Sequence, residues 1–155
     1  MTKKSSSYWS LLLFILTVSG VSVSGMQFQP GEWYTHLIKP GWTPPNWLFP
    51  VAWSLLYLMI AVAGWIIFSE FSPPLKTLWV AQLVLNGLWS WIFFGMHSTR
   101  LAFIDILAMF FCIAAIVWLA RKVSSVIVWL MTPYLVWVGY ASTLNAAIYF
   151  LNFAG

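Results

Sequence analysis

Apolar residues gather into five long runs along the chain, separated by short polar dividers. The runs cover about Tyr8 to Gln27, Asn46 to Ser69, Thr77 to Met96, Leu101 to Ala120 and Val126 to Phe150. Each reaches the roughly 20 residues that a helix needs to cross a bilayer. The dividers are FQPGEWYTHLIKPGWTPP, EFSPPLK, HSTR and RKVSS, and only the first is long. Short links imply antiparallel neighbours. The pattern predicts an all-α fold: one integral membrane bundle of five transmembrane helices, a single domain over residues 1–155.

Within the runs, periodicity marks inward faces. Gln82, Asn86, Trp89 and Phe93 follow spacings of four, three and four. Trp53, Tyr57, Ala61 and Gly64 share a face of span two, with large rings nearer one end and small residues deeper. Span five offers Trp137, Ala141 and Leu144, with Gly139, Ser142 and Ala146 beside them. Amides at membrane depth need partners. Gln82 and Asn86 therefore read either as glue between helices or as the lining of a ligand site. Pro133 lies inside span five and should kink that helix or free a carbonyl. Asp105 is the one acid within a span, and its place after Ser98 and Thr99 suggests an interfacial carboxylate reaching Arg100 or water.

Composition agrees with a membrane setting. Of 155 residues 62% are hydrophobic and 6% charged, against roughly 25% charged in soluble domains. The net charge of +4 is spread between apolar runs and makes no stripe for nucleic acid. Positive-inside counting places Lys3, Lys4, Lys76, Arg121 and Lys122 on one face, and Lys39 and Arg100 on the other. This predicts a cytoplasmic N-terminus, with the C-terminus and the first long loop outside. The basic start and small residues near position 25 also have signal-peptide grammar, but the apolar stretch is long enough to be a retained span. A bacterial inner membrane suits these features.

No nucleophile–base set, phosphate loop or metal-ligand spacing is visible. Cys112 is the single cysteine, and His36 and His97 fall in different loops. The chemistry concentrates instead in KPGWTPPNWLFPVAW, residues 39–53, which holds four prolines and three tryptophans.

The blocks EWYTHLIKPGWTPPNWLFPVAWSLLY, QLVLNGLWSWIFFG and PYLVWVGYASTLN, in this order and spacing, resemble the TspO/translocator protein family, the tryptophan-rich sensory proteins, and specifically a bacterial member. The resemblance implies a five-helix bundle, usually a homodimer, that binds protoporphyrin IX or haem with no required cofactor or metal. A sterol is a second ligand class, known for animal members. Ligand-facing positions carry over to Tyr34, Trp53, Asn86, Trp89, Trp137 and Ala141. Pro40, Trp42, Pro44 and Pro45 would form a rigid lid in the loop between spans one and two. Some bacterial members use tryptophans matching Trp53 and Trp137 in light- and oxygen-dependent porphyrin breakdown. Three functions are thus expected in order: a tetrapyrrole sensor or carrier, a porphyrin-degrading enzyme, and a transporter of tetrapyrroles or sterols. The chain departs from animal members after Tyr149, where no basic residue completes their cholesterol motif.

Overall fold

A computed structural model describes residues 8–70 and 73–153. Six α-helices follow one another: α1 Tyr8–Met26, α2 Glu32–His36, α3 Leu48–Glu70, α4 Pro73–Ser90, α5 Thr99–Ala120 and α6 Ser125–Phe153. A π-helical turn, Trp91–Gly95, continues α4. Apart from α2, every helix is long and apolar enough to span a membrane, giving five spans once the π turn is counted with α4. In hydrocarbon the helix is favoured because it satisfies its own backbone groups. Start signals match the boundaries: Pro73 and Pro74 open α4, where a missing donor costs little. Ser98 caps α5 by accepting from the Leu101 amide.

The spans close into a ring in the order α1, α3, α6, α5, α4, with α4 returning to α1. The interior is aliphatic: Ile60, Ile67, Ile113, Ile116, Ile127 and Met131 are fully buried. Among the residues of α1, only Val18 is buried, so α1 stands at the edge of the bundle. Lys76, Arg121 and Lys122 lie at one end, where α3 leads to α4 and α5 to α6. Lys39 and Arg100 lie at the other. Lys3 and Lys4, which the orientation count also uses, lie outside the described residues.

Two expectations change. Asp105 is buried against the bundle at 7% exposure rather than reaching out to Arg100 or water. Its Oδ2 has no partner, while Arg100 is exposed at the helix start. The helical register turns residue 105 to the same buried face as Ala102, Ile106 and Met109. The first divider also contains a helix, α2, that the hydropathy pattern does not mark.

Around Pro133 the helix α6 continues unbroken. Proline has no N–H, so the Trp129 carbonyl one turn earlier loses its helical donor. The π turn, closed by the Met96 amide on the Trp91 carbonyl at 2.8 Å, turns Phe93 fully inward. His97 follows with a left-handed φ of 54°, and its ring stacks on Trp33 at 4.5 Å. This stack ties α2 to the α4–α5 turn.

Close helix packing is sharpest at Gly64. A Cβ there would collide with the Trp79 indole. That indole donates to the Ile60 carbonyl at 3.0 Å. Gly64→Leu should therefore destabilise the protein by about 1–3 kcal/mol through overpacking, while Gly20→Ala, which faces open space, should leave stability unchanged. Thermal unfolding in detergent reads the difference.

Candidate functional site

The inward faces of four helices meet at Asn86. Tyr57 of α3 donates its hydroxyl to Asn86 Oδ1 at 3.0 Å. Asn86 Nδ2 donates to the Tyr134 hydroxyl of α6 at 3.0 Å. Tyr134 in turn donates to Met109 Sδ of α5 at 3.2 Å. Trp53 stacks on Tyr57 with centroids 5.2 Å apart and meets the Tyr134 ring edge-on at 6.2 Å. The amide of Asn86 is thus satisfied within the bundle on both sides. Gln82 is satisfied on one side only: its Nε2 donates to the Trp79 carbonyl at 2.9 Å, and its Oε1 has no partner.

A second cluster lies nearer the loop end. Trp89 Nε1 donates to Asn145 Oδ1 at 3.2 Å, and Asn145 Nδ2 donates to the Thr99 carbonyl at 2.9 Å. Trp89 stacks on Phe93 at 4.9 Å. Tyr34 of α2 meets Phe93 at 6.1 Å and Phe94 at 5.5 Å, both edge-on. Burial pushes the Tyr34 hydroxyl above its ordinary pKa. Lys39 Nζ sits 4.4 Å over the Tyr34 ring.

The connection from α2 to α3 lies along α6. Asn152 binds both backbone groups of Ile38: Oδ1 accepts from the amide and Nδ2 donates to the carbonyl, each at 2.9 Å. Farther along α6, the Tyr140 hydroxyl donates to the Trp42 carbonyl at 2.9 Å, and the two rings meet at 5.7 Å. These anchors are twelve residues apart, about 18 Å of helix. Pro40 and Pro45 begin two tight turns of the connection, one around Trp42 and one leading into α3, their carbonyls accepting from the Thr43 and Leu48 amides at 3.0 Å each.

Two clefts open beside these clusters. The larger, about 730 Å³, separates the connection from α6 and is lined by Trp42, Pro44, Leu48, Pro133, Trp137 and Tyr140, among others. Trp137 is held by Phe49 and Tyr140, each 6.0 Å away, and its buried Nε1 has no hydrogen-bond partner. The smaller, about 460 Å³, lies between α1 and α3 and contains Trp53, Tyr57 and Ala61 beside Ser19, Ser22 and Ser54.

The residues singled out in the sequence are therefore distributed. Trp42, Pro44 and Trp137 share the larger cleft, and Trp53 lines the smaller. Asn86 and Trp89 lie in the packed interior behind them, Ala141 packs on the main core, and Tyr34 packs on the cluster around Phe93. Sequence reasoning missed Tyr134 and Asn145, although Tyr134, Val138, Ser142 and Asn145 follow spacings of four, four and three on one buried face. Asn152 gave no signal, since its role depends on a backbone 114 positions away. Among the described residues no group of three metal-ligating side chains comes together. The His36 ring is hydrogen-bonded to the Glu32 carbonyl.

Comparison with known proteins agrees with this architecture. The TspO/MBR family matches residues 10–151. A tryptophan-rich sensory protein of Cereibacter sphaeroides is 35% identical over 146 residues, covering 93% of this chain and 92% of its own. The tryptophan-rich protein TspO of Archaeoglobus fulgidus is 37% identical over 149 residues, covering 92% and 96%. The human translocator protein is 33% identical over 135 residues, covering 81% and 79%. A match over this span, on five membrane-crossing helices, makes the chain a member of the TspO/MBR family of integral membrane proteins.

Proposed function

We propose that the protein binds protoporphyrin IX or haem against the aromatic wall between the α2–α3 connection and α6, and acts as a tetrapyrrole sensor or carrier. The observation that carries this reading is the larger cleft. Its volume of about 730 Å³ falls within the range of small-molecule sites, roughly 300–1,000 Å³. Its walls combine indole, phenol and proline with Leu48, Thr132 and Val136, and the rings suit a flat macrocycle: aromatic stacking adds to the gain from burying area. Pro40, Trp42, Pro44 and Pro45 act in this reading as a lid fixed on α6 at Ile38, just before it, and at Trp42 within it. Asn86 and Trp89 support the wall from behind. The lid lies on the outer side, with the N-terminus cytoplasmic, in a bacterial inner membrane.

Titration with protoporphyrin IX in the dark, followed by tryptophan fluorescence, tests this. Saturable quenching is expected. Trp137→Ala should weaken binding about tenfold or more, the loss expected when a large aromatic contact is truncated. Unsaturable quenching, or equal affinity in the variant, would reject the site.

A second reading, which puts the porphyrin in the smaller α1–α3 cleft instead, is favoured by one observation: Trp53 and Tyr57 line that cleft and form with Tyr134 a continuous set of oxidisable rings. Under light and with molecular oxygen as oxidant, such rings can take part in oxidative breakdown of a bound porphyrin. Illumination of the complex should then bleach the porphyrin spectrum, and Trp53→Phe should keep dark affinity while slowing bleaching. Identical bleaching rates in both proteins would leave binding as the function.

A further inference from the structure

The smaller cleft runs between α1 and α3, from Met26 and Pro50 at the loop end to Ile15 and Ala61. On α1 it is lined by Ile15, Ser19, Ser22 and Met26, whose spacings of four, three and four put them on one face. The helical rise from Ile15 to Met26 makes it about 16 Å long. A volume of about 460 Å³ spread over that length is a slot suited to an extended chain. Nothing charged lines it. On the protein side α1 is weakly held, since Val18 is its one buried residue.

Two hydroxyls in the slot stand apart from the others. Serine and threonine within a helix commonly donate to a carbonyl one turn back. In α1, Thr17 and Ser24 do so at 2.8 Å each. Across the slot Ser54 does the same, to the Pro50 carbonyl at 2.7 Å. Ser19 and Ser22 have no hydrogen-bond partner among the described residues. A hydroxyl without a partner away from water is costly, and the bilayer core supplies no water to serve it. Two free donors in an uncharged slot call for an uncharged acceptor. Ser22 lies about one turn inside the loop end of α1, close to the boundary between hydrocarbon and headgroups. Lipid ester groups lie at that boundary.

We propose that the α1–α3 cleft is a lipid site: Ser19 and Ser22 donate to the ester carbonyls of a glycerophospholipid, and one of its acyl chains fills the slot. The lipid completes the packing of α1 on α3. This does not depend on the porphyrin reading, whose ligand occupies the larger cleft.

Native mass spectrometry tests the site, on protein released from nanodiscs that hold equal amounts of a diester and a diether phosphatidylcholine of the same chain length. The diether lacks the carbonyls. The wild type should retain the diester lipid about fivefold more than the diether, the size of one neutral hydrogen bond. The double variant Ser19→Ala, Ser22→Ala should retain the two equally. Leu58→Trp, which fills the slot from α3, should retain little of either. These residues lie outside the buried core, so folding should persist. Equal retention of both lipids by the wild type, a preference that survives the double variant, or unchanged retention in Leu58→Trp would overturn the proposal. So would a dimer that carries no lipid, since a second copy would then cover this face.

Discussion

The Asn86 side chain is the constraint on which the arrangement depends. One amide joins α3, α4 and α6, and through Tyr134 it reaches Met109 of α5. Lipid gives no hydrophobic drive for helices to associate, so packing and polar contacts do that work. Each such bond is worth only about 0.6 kcal/mol on average in a membrane. Its larger effect is geometric: an unpaired amide in hydrocarbon is costly, so the register that pairs all three groups is selected. That register fixes the angle at which Trp53 stands against Tyr57 and Tyr134.

The larger cleft follows from a different set of restraints. The α2–α3 connection would be free if only its sequence held it. Instead Asn152 and Tyr140 attach it to α6 at two heights, through Ile38 and Trp42, and Pro44 and Pro45 stiffen the stretch that follows. The space left between connection and helix is walled by Trp42, Pro44 and Trp137. Asn86 shapes the interior and the two α6 anchors shape the cleft, while the Trp89–Phe93–Tyr34 ring series packs α2 onto the π turn that continues α4.

Most of the fold was legible in the sequence because bilayer thickness and backbone hydrogen bonding leave one answer for five long apolar runs. The face Gln82, Asn86, Trp89, Phe93 was equally legible, since helical spacing places those residues together whatever surrounds them. Two features were not. The burial of Asp105 depends on which face of α5 meets α4 and α6, which composition does not encode. The grip of Asn152 on Ile38 joins positions 114 apart, and nothing local to either marks it. The aromatic residues of the candidate site were visible as types, but their division between two clefts and the packed interior is a result of tertiary packing.

The most direct test is an experimental structure of the protein with protoporphyrin IX bound in a lipid nanodisc. The macrocycle should lie between the α2–α3 connection and α6, in contact with Trp42 and Trp137, with the Tyr57–Asn86–Tyr134 bridge intact. A macrocycle seated in the α1–α3 cleft, or one that breaks the Asn86 bridge to enter the bundle, would contradict this account.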